Sequence, residues 1–192
     1  MIKHTKYIIE YPNFVDPRVT ASLQNKASVL LGEDPNNTTF HRKNRGYHLG
    51  EWSYKDGIKE LHWEVNKIGQ KVFMQYYKDC PLIAYNIISR YGFISNYVYR
   101  HYGKSDHYNW HIDRSHDTTQ HVVSFLLYLN DNFGGGNTLF LNDNLKVKPR
   151  SGSILMFPCG PYFLHKSTKI TYGEKHVLCN HFSQRPPAPG DH

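Results

Sequence analysis

Cysteine is scarce in this chain, with three among 192 residues. Cys80, Cys159 and Cys179 are too few, and odd in number, for a disulfide framework. A reducing compartment is the expectation, with the cytoplasm first. Long apolar runs are missing as well. Mean hydropathy is −0.63, and no stretch approaches the ~20 apolar residues that a membrane helix needs. The start, Met1-Ile2-Lys3-His4-Thr5-Lys6, leads into no apolar core of a secretory signal. Neither a leader nor a membrane partner is therefore expected. Acidic residues run short: 16 against 23 Lys and Arg, a net charge of +7. Such a balance suits nucleic acid, acidic lipid or an anionic substrate. The basic residues are scattered, however, and Arg42-Lys43-Asn44-Arg45 is the only local cluster. Solubility is thus the first reading of the charge.

Aromatic side chains are plentiful, at 15% with 15 Tyr and 10 Phe. They supply a core for the single domain that this length favours. No internal repeat is found. A short strand is expected over Lys6 to Tyr11. Asp16-Pro17 then offers an N-cap with Pro at the first helical position. Val19, Leu23, Ala27 and Leu30 follow at helical spacing, and Gly32 closes that helix. Glu33 to Trp52, rich in Asn, Thr, Gly and charge, reads as a long surface loop. A second helix is expected from about Ile58 to Lys78, with Leu61, Val65, Ile68, Val72 and Tyr76 on one face. Leu82 to Arg90 reads as a short third helix.

From Phe93 onward the period changes to two. Strands are expected over 97–102, 108–112, 122–129, 138–141, 145–147, 154–157, 163–168 and 176–182, separated by Gly, Asn and Asp. So many short strands in the C-terminal half imply a closed or two-sheet barrel with the helices packed outside it. Residues 1–183 form one domain in this reading. Residues 184–192, Pro-rich and without apolar periodicity, form an extended or disordered tail.

Histidine is abundant, at 13 residues, and neutral imidazole is the commonest protein metal ligand. In Tyr108-Asn109-Trp110-His111-Ile112-Asp113, residues two apart on a strand share a face, so His111 and Asp113 present an imidazole and a carboxylate together. A further His would complete a two-His-one-carboxylate set, the usual site of non-haem Fe(II) oxygenases. His165 is the candidate, on a late strand after the turn Cys159-Gly160-Pro161. Lys175 follows ten residues later, with Tyr128 on the partner strand. An ammonium in an apolar barrel needs an anion. A dicarboxylate supplies one, with one end on the metal and the other held by Lys175 and Tyr128. His101, His107, His116, His121, His176 and His181 read as surface or supporting groups rather than a further metal site. Trp110 packs either on substrate or in the barrel, and the cysteines read as inert.

The order of these residues resembles the prolyl 4-hydroxylase branch of the Fe(II)/2-oxoglutarate-dependent dioxygenases. It comprises Tyr102, His111-Ile112-Asp113, Tyr128-Leu129-Asn130, Gly135-Gly136-Asn137-Thr138-Leu139-Phe140, Ser151-Gly152 before an apolar strand, and His165 through Lys175. The likeness covers roughly Tyr97 to Phe182. It implies an α+β, mainly β, fold: a double-stranded β-helix (jelly-roll) core with supporting N-terminal helices. It also implies His111, Asp113 and His165 as iron ligands, Lys175 as the 2-oxoglutarate anchor, and Tyr102 and Tyr128 as co-substrate contacts. Fe(II), 2-oxoglutarate and O2 are the implied cofactors, with ascorbate as a stimulant. No side chain is required as a general acid or base. Related halogenases carry a small residue at the carboxylate position, so Asp113 points to hydroxylation. Asn137 stands where the pattern often has Glu, and the first 90 or so residues match no motif.

The implied substrate is proline in a protein or peptide, with succinate and CO2 released. The alternative is a free amino acid, another small molecule or nucleic acid. Nucleic acid is disfavoured, because the AlkB-like branch carries paired Arg after the distal His and this stretch has none before Arg185. A non-enzymatic basic barrel is the remaining reading, and the intact ligand set argues against it.

Overall fold

The structure is a computed structural model that describes residues 1–31, 42–43, 45–49, 57–81, 92–94, 97–113 and 120–184. In chain order the strands and helices begin with β1 (Ile2–Lys3), β2 (Ile9–Tyr11), α1 (Pro17–Leu31), β3 (Arg42–Lys43), β4 (Arg45–Leu49) and α2 (Ile58–Asp79). There follow β5 (Gly92–Ile94), β6 (Tyr97–Tyr102), β7 (His107–His111), β8 (Gln120–Tyr128), β9 (Gly134–Gly135) and β10 (Thr138–Phe140). The last are β11 (Leu145–Val147), β12 (Ile154–Pro158), β13 (His165–Ser167), β14 (Ile170–Tyr172) and β15 (Lys175–Gln184).

Two main sheets form. The larger has eight strands, ordered β1-β2-β12-β8-β15-β6-β4 with β5 also on β15. The smaller has five, ordered β11-β10-β13-β7-β3, and β14 pairs with β9 in a separate ribbon. This is a mainly β jelly-roll with few helices, as the sequence implied. No helix among the described residues is long and apolar enough to cross a membrane.

The large sheet is buried on both faces, and period two decides which residue serves which core. Val123, Phe125, Leu127, Ile154, Met156 and Leu178 pack on one side with Leu23 and Ala27 of α1 and with Leu61, Val65, Val72 and Tyr76 of α2. Tyr102, Tyr128, Leu155, Phe157 and Val177 face the other way, into the space between the sheets, where they meet Phe140 and Val147. Inside and outside therefore alternate residue by residue along β6, β8, β12 and β15.

The helix starts and faces largely follow the expected chemistry. Asp16 Oδ1 accepts a hydrogen bond from the Arg18 N–H at 2.8 Å, capping α1. Leu23 and Ala27 are buried, but Val19 is 38% exposed. The buried face of the first turn is Thr20, whose hydroxyl donates to the Pro17 carbonyl at 2.9 Å. The stretch Glu33 to Trp52 is not simply a loop. Within it β3 extends β7 and β4 extends β6. Polar, basic composition is what an edge strand carries, because it discourages pairing with other chains. The third helix over 82–90, the remainder of 33–52, the stretch 114–119 and the tail from 185 lie outside the described residues. Gln184 closes β15, one residue into the expected tail.

Phe125 is fully buried, stacked with Phe73 at 6.1 Å and edge-on to Tyr97 at 5.8 Å. Phe125→Ala is expected to cost about 3–5 kcal/mol by urea unfolding. A loss below about 1 kcal/mol would contradict the core assigned to the helix side of the sheet.

Candidate active site

β13 runs antiparallel to β7 in a register that sets His165 directly opposite His111. Asp113 follows two residues past the end of β7. Its Oδ1 lies 3.6 Å from His111 Nε2, and its Oδ2 lies 3.7 Å from His165 Nε2. The two imidazole centroids are 4.2 Å apart. The three residues foreseen as ligands therefore meet at one point, with their donor atoms within 4.8 Å of one another.

Hydrogen bonding fixes which nitrogen is free. His111 Nδ1 donates to the Asn109 carbonyl at 2.8 Å, and His165 Nδ1 donates to the Phe163 carbonyl at 2.9 Å. A carbonyl can only accept, so each Nδ1 carries the hydrogen and each neutral ring keeps its lone pair on Nε2. Burial, reinforced by neighbouring His165, pulls His111 down to about 4, so it is neutral at pH 7. Burial works to raise the Asp113 carboxyl, but the imidazoles of His165, His181 and His111 overcome it and hold it well below the usual range. The Nε2 atoms of both rings thus converge with the carboxylate, a donor set that fits a divalent cation. Neighbouring ligands of one ion at bond lengths near 2.1 Å stand ~3–3.4 Å apart. The observed separations exceed this by only a few tenths of an ångström.

These groups open onto a cavity of about 80 Å³, well above the ~10–15 Å³ that one water needs. Lys175, only 3% exposed, lines it. It opens β15 opposite Tyr102, the last residue of β6. Its Nζ donates to the Gly136 carbonyl at 2.8 Å and to Ser167 Oγ at 3.1 Å. The rings of Tyr102 and Tyr128 flank it, with centroids at 5.1 and 5.5 Å. Among the described residues it forms no ion pair, and burial lowers its ammonium to about 8. An ammonium has three protons to give. Two are used, leaving one for a ligand in the cavity. Gly136 makes this cradle possible: it sits at φ +62°, and a Cβ there would come within 2.8 Å of Phe133 and Ile170 and 3.1 Å of Lys175. The Tyr128 hydroxyl bonds Thr138 Oγ1 at 2.9 Å, and it is Thr138 that reaches the cavity wall.

Further groups, not assigned to the site from the sequence, belong here. Ser124 Oγ donates to Asp113 Oδ2 at 2.5 Å, and His181 Nε2 lies 3.6 Å from the same oxygen. Of the two readings expected for His181, surface or supporting, it takes the supporting one. Arg100 and Tyr108 also line the cavity, with the Tyr108 ring stacked on His111 at 3.7 Å. The signal was present: Arg100 is two before Tyr102, and His181 is six after Lys175, so each shares a face with an assigned residue. Trp110 is exposed with Lys166 Nζ 4.6 Å over its ring, and so does not pack inside the barrel. All three cysteines are free thiols, and burial raises each of them, in line with inert side chains.

In the unfolded chain Lys175 keeps its proton to about pH 10.4, whereas the folded chain releases it near 8. Between these values the unfolded state binds more protons, so this residue's contribution to stability rises with pH. Lys175→Met removes the buried charge at similar volume. The variant is expected to exceed the native chain in urea midpoint at pH 7.5, with the gap narrowing to roughly half or less by about pH 9.5. A gap independent of pH would show that Lys175 titrates normally.

Residues 97–183 match the model of the 2OG-Fe(II) oxygenase superfamily. A protein of Acanthamoeba polyphaga mimivirus named "Putative prolyl 4-hydroxylase" is 33% identical over 103 residues, covering 44% of this chain and 43% of that one. The chain thus spans less than half the length of the curated relatives it matches. Among solved structures, the viral collagen prolyl hydroxylase of Paramecium Bursaria Chlorella virus-1, as its 2OG complex, aligns with a TM-score of 0.70 at 18% identity, over 97% of this chain and 100% of that one. The Pseudomonas putida prolyl-4-hydroxylase aligns with a TM-score of 0.67 at 17% identity, over 93% of each chain. These two share the fold. The sheet order and the residue pattern over residues 97–183 thus agree with the match to the 2OG-Fe(II) oxygenase superfamily model, and the fold is the one these two prolyl hydroxylases share.

Proposed function

We propose that the chain is an Fe(II)- and 2-oxoglutarate-dependent dioxygenase that hydroxylates proline in a protein or peptide. The observation that carries this reading is the pairing of two sites in one cavity. At one end two Nε2 lone pairs and a carboxylate converge; at the other a buried ammonium lacks a counter-ion among the described residues. A metal-chelating dicarboxylate satisfies both ends. Peptidyl proline as substrate is supported by the relatives, which are named as prolyl hydroxylases.

His111, Asp113 and His165 would hold the iron. With 2-oxoglutarate and O2, that iron supplies the oxidising power for C–H hydroxylation, giving succinate and CO2 as co-products. The protein's own work is binding and orientation. The Asn109 and Phe163 carbonyls aim the two imidazoles, and Ser124 and His181 hold the carboxylate of Asp113. Lys175, steadied by Gly136 and Ser167, takes the far carboxylate of the co-substrate, with Tyr102 and Tyr128 walling it off from water. No side chain acts as a general acid or base. Ascorbate serves to keep the iron ferrous, as a stimulant rather than a reactant.

His111→Ala and Asp113→Ala are expected to abolish succinate release from 2-oxoglutarate in the presence of iron. Full activity in either would overturn the ligand assignment. Lys175→Met is expected to raise the 2-oxoglutarate requirement roughly 10- to 150-fold, since a hydrogen bond to a charged group contributes about 1.5–3 kcal/mol. Iron affinity should be largely unchanged. An unaltered co-substrate requirement would place the anchor elsewhere. Mass spectrometry of proline-containing peptides incubated with enzyme, iron, ascorbate and 2-oxoglutarate should show the gain of one oxygen on proline. Turnover with oxygen gained only on another residue or molecule would overturn the prolyl assignment.

A further inference from the structure

The same two strands that bring Tyr102 and Lys175 into the cavity carry His101 and His176 on the reverse face, directly opposite each other in register. Their rings lie parallel, 4.7 Å apart. Glu174, on the turn that leads into β15, brings its Oε2 to 3.1 Å from His101 Nε2 and 3.7 Å from His176 Nε2. A tetrahedral ion at bond lengths of 2.0–2.2 Å sets neighbouring ligand atoms about 3.4 Å apart, and these separations bracket that value. His101 Nε2 is shielded from solvent yet makes no hydrogen bond, although a carboxylate oxygen is close by. A buried ring nitrogen without a hydrogen bond, beside a carboxylate oxygen, is a position that a bound cation would satisfy.

The surroundings hold the arrangement. His176 Nδ1 lies 2.6 Å from the Tyr99 hydroxyl, which lies 3.0 Å from Ser28 Oγ on α1. With Tyr99 accepting from Nδ1–H and donating to Ser28, the His176 lone pair is on Nε2, the tautomer a metal ligand needs. Asn130 clamps the turn: its Nδ2 donates to the Glu174 carbonyl at 2.7 Å, and its Oδ1 accepts from the His176 N–H at 2.8 Å. We propose that His101, Glu174 and His176 form a second metal site, back to back with the co-substrate cradle, that takes zinc(II) or a similar late first-row dication. Two imidazoles and one carboxylate with a position left open suit that ion. Bound there, it ties the start of β15, and with it Lys175, to β6 and the Tyr99–Ser28 link to α1.

The test is zinc(II) titration of the untagged, metal-free protein by calorimetry, with the bound metal counted by mass spectrometry. Two zinc ions per native chain are expected, and one in Glu174→Gln, in His101→Gln and in His165→Ala. Glu174 is largely exposed, so Glu174→Gln should unfold in chelator at the native temperature. Its zinc affinity at this site should drop by more than the roughly 10–100-fold that an outer partner of a ligand commands. Cobalt(II) should give a visible absorption band that Glu174→Gln loses and His165→Ala keeps. Fewer than two zinc ions on the native chain would overturn the site, as would a count that Glu174→Gln and His101→Gln leave unchanged. Because His165→Ala removes only the other site, failure of this inference and failure of the iron assignment give different results.

Discussion

The register of β15 between β8 and β6 is the constraint on which the rest depends. Along it, Lys175, Val177, Cys179 and His181 face the space between the sheets, while His176 and Leu178 face the helices. A slip of one residue would exchange every one of these assignments. It would set an ammonium against the helix-side core and put His176 where the cavity needs a cation. The pairing is fixed from both sides, by Val177 opposite Tyr128 on β8 and Lys175 opposite Tyr102 on β6. Apolar residues on both faces make any other alignment bury polar groups without partners.

The site itself is built around charges that are held in water-poor surroundings. Asp113 keeps its ionised form because three imidazoles and a serine hydroxyl surround it. Lys175 is held less firmly, by one carbonyl and one hydroxyl. The asymmetry matches the roles proposed for them. A permanent ligand benefits from a carboxylate that never protonates near neutral pH, whereas an anchor for an exchanging co-substrate benefits from a charge that an incoming anion completes.

Much of this was legible in the sequence, and the reason is local. His111 and Asp113 announce themselves by spacing, and the change from period 3.6 to period two marks where the run of strands after α2 begins. The bounds expected for α2 and for β6 and β11 agree with the structure to within a residue. What stayed hidden depends on partners far along the chain. β3 and β4 are strands because β7 and β6 offer edges, and nothing in Arg42-Lys43 or in Arg45 to Leu49 says so by itself. Likewise β9, made of two glycines, exists only through pairing with β14. Arg100 and His181 needed the faces of β6 and β15 to be counted outward from Tyr102 and Lys175. The grouping of His101, Glu174 and His176 needed the cross-strand register, which no spacing along the chain reveals.

Both imidazoles proposed for the iron are oriented by the same small device, a hydrogen bond from Nδ1 to the main-chain carbonyl two residues earlier. No side chain takes part in either bond. Exchange of Asn109 or Phe163 for almost any other residue would leave the carbonyl in place, so the aim of these rings presents almost no target to mutation. The carboxylate is different: it relies on Ser124 and His181, whose side chains can be lost by a single codon change. Drift in a lineage of such proteins should therefore erode the acid corner of the site before it disturbs the two rings.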